Sequence, residues 1–114
     1  MSLEGDLLSI EDYFWNGGPE EYQRHADGLC LVAFADFAGV MSKADIAKSA
    51  ERGRWTNVSL KPKGVAQLSD TSAVVTYECH AKRKNGEPYH ALVSSGYVRR
   101  TEGWKLAFHQ QTPL

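Results

Sequence analysis

His109 and Gln111 lie two residues apart in Leu106-Ala107-Phe108-His109-Gln110-Gln111, so an extended backbone presents both on one face and Gln110 on the other. Among apolar neighbours an imidazole and an amide need partners, because leaving such a group unpaired and away from water costs on the order of 1 to 3 kcal/mol. A ligand, a water or a structural hydrogen-bond network each meets that need; in the first case His109 is also a candidate general base. Glu78, His80, His90 and His109 are residue types that hold metals. Their spacing argues against a site, since Asn85-Gly86 has the residues of a two-residue hairpin turn. In that register His80 faces Ala91 and His90 faces Ala81, on opposite sides of the sheet. Three ligands then do not converge, and no metal is expected. Cys79 with His80 or with His109 is not expected to be a nucleophilic pair either, because adjacent strand residues point apart and no exposed turn presents the thiol.

Trp15, Tyr22, Tyr77, Tyr89 and Tyr97 are more large aromatics than a core of this size needs. Each can serve the core, and together they can wall a small-molecule pocket. The candidate ligand-binding residues are therefore Trp15, Tyr22, Tyr77, Ser95, Tyr97, His109 and Gln111.

Elements must bring these residues together. Leu3, Leu7, Ile10 and Phe14 recur at three- and four-residue spacing, which predicts an amphipathic helix that Gly17-Gly18 ends. Pro19, with Glu20-Glu21 at its start and Arg24-His25 at its end, predicts a second helix stopping near Asp27-Gly28. Residues 29–34 are all apolar and read as a strand buried on both faces. Beyond Asp36 the chain resumes as an apolar run over 37–41, and Ser42 with Asp45 has the spacing of a capped helix from Lys43 to about Ala50. Strands are predicted over 55–61, 64–68, 72–83, 88–100 and 104–112, with the last three forming a meander of two hairpins. The two-residue-loop register puts Val74, Val93 and Tyr97 on one face of it. On the last strand Lys105, Ala107, His109 and Gln111 share the inner side, and Gly96 is a candidate bulge that would exchange faces beyond it.

Acids and bases nearly cancel at a net charge of −1, and the one dense basic run, Lys82-Arg83-Lys84, sits at a turn, so no nucleic-acid partner is expected. No apolar run approaches the roughly 20 residues of a membrane helix, and the N-terminus lacks the pattern of a signal peptide. Cys30 and Cys79 lie in apolar segments. A cytoplasmic protein with reduced thiols and no membrane partner is expected. With 114 residues there is room for one domain, spanning 1–114.

The order of elements, with Phe14-Trp15, Gly39-Val40-Met41-Ser42, Ser94-Ser95-Gly96-Tyr97-Val98-Arg99-Arg100, Gly103-Trp104-Lys105-Leu106 and His109-Gln110-Gln111-Thr112-Pro113, resembles the nuclear transport factor 2-like superfamily over nearly the whole chain. It looks closest to a bacterial branch described as a domain of unknown function, allied to SnoaL-like and ketosteroid-isomerase-like proteins. The resemblance implies an α+β fold: a cone-shaped, cystatin-like α+β barrel with N-terminal helices packed in the concave face of a curved antiparallel sheet, usually dimeric. Ketosteroid-isomerase-like members use an acidic residue as base, with a tyrosine and a protonated acid as oxyanion hole. Carried onto this chain, Tyr13 and Asp36 stand roughly where such roles are found. The third-strand acid is missing, since the stretch there is Ser94-Ser95-Gly96. Tyr13 and Asp36 also read as a surface tyrosine and a turn aspartate.

The expected function is binding of a small hydrophobic or mixed-polarity molecule inside the cone, with no cofactor. The alternative is an isomerase, cyclase or dehydratase with His109 or Asp36 as general base. A homodimer through the outer face of the sheet is expected, because helices can cover only one face and Val74, Val93 and Tyr97 are placed on the other.

Overall fold

Ser2 begins the first helix by accepting the Gly5 amide at 3.0 Å on its hydroxyl. The structure, a computed structural model, describes residues 2–50 and 53–114. Helix α1 (Leu3–Asn16) buries Leu7, Glu11, Phe14 and Trp15 along one side, and α2 (Pro19–His25) starts on the proline that suits a first helical position. Strands β1 (Ala26–Ala33) and β2 (Ala38–Ser42) follow, then α3 (Lys43–Ser49), capped by the Ser42 hydroxyl on the Asp45 amide at 3.1 Å. The remainder is β3 (Trp55–Ser69), β4 (Ser72–Arg83), β5 (Pro88–Arg100) and β6 (Gly103–Pro113). Among the described residues no helix is long and apolar enough to cross a membrane.

The six strands form one curved sheet in the order β2-β1-β6-β5-β4-β3. Every neighbouring pair is antiparallel except β1 and β6, so the sheet is mixed rather than antiparallel throughout. The long excursion from β1 to β6 lets two strands distant in sequence run the same way. Nor does the sheet close into a barrel. Its edges β2 and β3 do not pair, because α1 packs along β3 and α3 along β1 and β2, filling the concave side that closure would otherwise occupy.

Side-chain alternation defines the two faces. Ala73, Val75, Tyr77, Cys79 and Ala81 of β4 point inward and are buried, as are Ala91, Val93, Ser95 and Tyr97 of β5. The expected two-residue loop between these strands is instead three residues, Lys84-Asn85-Gly86. The Arg83 amide donates to the Glu87 carbonyl at 2.8 Å, and Gly86 takes a φ of 90° that its lack of a β-carbon permits. One extra residue shifts each cross-strand partner by one position. Val93 and Tyr97 therefore lie inside, not on the outer face, and His80 pairs directly with His90.

The bulge lies in β6, not in β5. Tyr97 pairs with Leu106 and Gly96 with Phe108, leaving Ala107 as the extra residue. Lys105 and Ala107 thus leave the inner set, Leu106 joins it, and His109 and Gln111 stay on it opposite Ser95 and Val93. Gly96 has a local reason: a β-carbon there would meet the Phe108 β-carbon at 3.3 Å.

Two further expectations are corrected. Pro62 does not divide β3, because an edge strand needs amide donors on one side only; the strand passes it with a register shift between Pro62 and Gly64, one of three along its length. The apolar run in β1 is buried on one face only, with Leu29 and Leu31 exposed at 64% and 54% and Cys30 and Val32 buried. Val40, Leu31, Phe108, Gly96, Val74 and Ala66 are successive cross-strand partners, so one apolar row crosses the whole outer face.

Candidate functional site

Glu11 is completely buried at the centre of the concave side. Its position follows from α1, where it falls four residues after Leu7 and three before Phe14, within the stripe that packs against the sheet. Its carboxyl group accepts from three hydroxyls. Tyr77 donates to Oε1 at 2.5 Å and Ser95 to the same oxygen at 2.8 Å, while Tyr97 donates to Oε2. Trp15 in turn donates its indole N–H to the Tyr77 oxygen at 2.8 Å. Burial first, and Glu11 second, push the Tyr77 and Tyr97 phenols well above their ordinary value, so both remain donors.

From this centre the network runs outward. Ser95 gives its proton to Glu11, so His109 Nδ1, 2.8 Å from the serine oxygen, must carry a hydrogen and donate it. The other nitrogen, Nε2, then accepts from the Gln111 amide at 2.9 Å, and the Gln111 oxygen accepts from Tyr89 at 2.7 Å. Every donor in the sequence Tyr89, Gln111, His109, Ser95 points toward Glu11. That direction requires a neutral His109. Burial lowers its pKa, and Arg54 acts the same way against the opposing pull of Glu11.

A consequence is measurable. Below the ordinary imidazole value of about 6.5, the unfolded chain takes up a proton on residue 109 that the folded chain refuses. Stability is therefore full above that pH and is lost as pH falls toward the lower folded value. His25, also pushed down by burial, adds to the slope. His109→Gln is expected to flatten the dependence of urea-unfolding stability between about pH 5 and 7; an unchanged slope would contradict a buried neutral His109.

His109 and Gln111 border a cavity of about 660 Å³. Aromatic rings form much of its wall: Phe14 stacks on Tyr22 at 4.5 Å, and Trp55 meets Trp15 at 5.1 Å and Tyr89 at 4.9 Å between centroids. Two guanidiniums line it too. Arg83 lies 4.8 Å from the Tyr89 centroid, whereas Arg54 reaches the Tyr22 hydroxyl and the Ser49 carbonyl, both at 3.4 Å. Among the described residues no carboxylate pairs with Arg54.

Of the residues singled out from sequence, Trp15, Tyr22, His109, Gln111 and Asp36 line this cavity. Tyr77, Ser95 and Tyr97 stand behind it, their hydroxyls engaged by Glu11. Tyr13 is elsewhere, half-exposed and stacked on His25 at 5.3 Å. The interior does contain an acid, and it comes from α1 rather than from the third strand. Cys79 is buried, and burial pushes its thiol up to about 12, which removes it as a nucleophile at neutral pH.

The histidine arrangement also differs from expectation. His80 and His90 are on the same outer face, 2.6 and 2.7 Å from one Glu78 oxygen, and the hydrogen bonds from His80 and His90 hold that carboxyl down at about 2. Non-convergence therefore no longer argues against a metal there.

A protein of unknown function from Prochlorococcus, described as NTF2-like, superposes on 99% of this chain and 94% of its own, with a TM-score of 0.78 at 18% identity. A ketosteroid isomerase-like protein from Erwinia carotovora atroseptica matches 98% of this chain and 93% of its own, with a TM-score of 0.78 at 15% identity. The chain has the nuclear transport factor 2-like fold. The same NTF2-like architecture aligns with the association domain of C. elegans CaMKII over 93% of this chain and 88% of that one, with a TM-score of 0.69 at 13% identity. No family model and no curated protein matches the sequence. At such identities the NTF2-like likeness is one of fold, and the site has to speak for function.

Proposed function

We propose that this NTF2-like chain binds a small, mostly apolar molecule in its cone, with one anionic or strongly accepting group directed at Arg54. The observation that carries the reading is the partly buried Arg54 guanidinium, which has no carboxylate partner among the described residues and faces an aromatic-walled cavity. A guanidinium in such a place favours a ligand oxygen, particularly a charged one. His109 and Gln111, held together by a hydrogen bond of 2.9 Å, add a polar patch to the same wall. Two buried free thiols fit the expected cytoplasmic setting.

The test is a panel of aromatic and alicyclic carboxylic acids, each matched to its neutral amide and titrated by calorimetry. Acids are expected to bind about tenfold tighter than amides, a difference of about 1.4 kcal/mol, and Arg54→Gln is expected to erase the gap. Equal affinity of acid and amide for the wild type would refute the anionic assignment.

One observation favours a second reading. The Nδ1 side of His109 is bound to Ser95 and lies 3.7 Å from Glu11, an arrangement that would stabilise an imidazolium formed when Nε2, on release from the Gln111 amide, accepts a proton. An isomerase, cyclase or dehydratase using His109 as base would then show a rate that falls below the folded His109 pKa and vanishes in His109→Gln. Asp36, exposed at the cavity rim, lacks such support.

The outer apolar row supports pairing of two copies through their sheets. One structurally similar protein is by name an association domain, which accords with self-association on this fold.

A further inference from the structure

Away from the cavity, one cluster combines cation-binding residue types with convergence. Glu78 and His80 are two apart on β4, and His90 stands directly opposite His80 on β5, so the three side chains share the outer face. Both Nε2 atoms meet Glu78 Oε2, at 2.6 and 2.7 Å, and the two rings stack with centroids 3.9 Å apart. One ligand atom from each residue lies within 4.8 Å of the others. From these positions we infer that Glu78, His80 and His90 form a binding site for one divalent transition ion of the zinc class.

The donor set decides the kind of ion. Two imidazoles with one carboxylate suit zinc, nickel or copper, whereas magnesium and calcium prefer oxygen ligands throughout. Zinc bonds of about 2.0 to 2.2 Å in tetrahedral geometry set ligand atoms roughly 3.3 to 3.6 Å apart. The pairs that now share a hydrogen bond need to open by roughly 0.6 to 1 Å, and side chains that are 40%, 39% and 22% exposed have the freedom to do so. Each imidazole would bind the ion through the Nε2 lone pair with its hydrogen carried on Nδ1, so the hydrogen bonds to Glu78 give way to metal bonds and the rings stay neutral. Three protein ligands leave one position open to water or a further ligand.

The neighbouring charges oppose the site without closing it. Lys63 lies 3.9 Å from the other Glu78 oxygen, Oε1, and Lys61 pairs with Glu78 across β3. Lys63 is half-exposed on an edge strand and can swing toward water. His90 is six residues along β5 from Gly96 in the apolar row, a span on the order of 20 Å, so ion binding and sheet pairing can be tested separately.

The experiment uses the full chain stripped with a chelator and titrated with zinc by calorimetry. Saturation at one equivalent with a micromolar or tighter dissociation constant is expected. His80→Ala and His90→Ala should each weaken binding by more than about tenfold, since even outer-shell changes at metal sites cost roughly 10- to 100-fold. Cobalt in place of zinc should give visible absorption bands that are lost in the double variant. Circular dichroism of each variant checks the fold, and Glu78→Gln, which keeps the side-chain shape, gives an independent loss of affinity. Absence of saturable binding, or affinity unchanged in His80→Ala and His90→Ala, would overturn the site.

Discussion

Glu11→Ala is expected to cost the fold about 3 to 5 kcal/mol and to lower its melting temperature by about 10 °C or more. The side chain is fully buried and accepts from Tyr77, Ser95 and Tyr97. Removing it takes away the acceptor of the buried Tyr77 and Tyr97 hydroxyls, at about 1 to 3 kcal/mol each, leaves Ser95 with only its His109 contact, and opens a void besides. Glu11→Gln separates these causes, because it fills the volume but turns one acceptor oxygen into a donor that faces a hydroxyl. A loss about half that of alanine is expected for glutamine. Equilibrium unfolding in urea measures both, and a Glu11→Ala protein within about 1 kcal/mol of wild type would mean that the network does not hold the sheet to α1.

Leu31→Glu is expected to turn a dimer of the wild-type chain into a monomer. Leu31 stands between Val40 and Phe108 in the row that crosses the outer face, and it is more than half exposed in the single chain. In a symmetric pairing of two such faces the substitution enters twice. Each copy buries an unpaired carboxylate at a cost of about 3 to 5 kcal/mol, more than enough to dissolve a complex of ordinary affinity. Light scattering on the eluting protein gives the mass directly. The expected pair of results is twice the chain mass for wild type and once for the variant; a monomeric wild type, or a dimeric variant, would rule out this face as the contact.

Much of the fold was legible because local rules were sufficient for it. The Ser42–Asp45 cap, the stripe on α1 and the bounds of β4 and β5 each depend on neighbours close in sequence. Faces were harder to read, because a strand's orientation depends on the count of residues in a turn. Asn85-Gly86 has the composition of a two-residue loop, and including Lys84 reassigned Val93, Tyr97 and His90 together. The apolar run of β1 misled for another reason. Burial on both faces assumes a second cover, whereas the helices of one chain supply only one.

Glu11 left a signal that length and composition could not amplify. A carboxyl group three and four residues from Phe14 and Leu7 sits in the middle of an apolar stripe, where a charge requires partners. Those partners, Tyr77, Ser95 and Tyr97, are more than 60 positions away and meet Glu11 only after the sheet curves. His109 and Gln111 were accessible from alternation alone because the bulge at Ala107 precedes them.

The irregular outer strand β3 bears on how copies of the chain can aggregate. Sheets grow into fibrils when a flat edge offers an unbroken ladder of amides to a stranger. Here the edge is interrupted at three places, lacks an amide at Pro62, and carries Lys61 and Lys63 on either side of it. An incoming strand would find no continuous template and a local excess of positive charge. Open-ended growth through β3 is thereby discouraged, which leaves the outer face as the surface on which the proposed closed, two-body pairing would form.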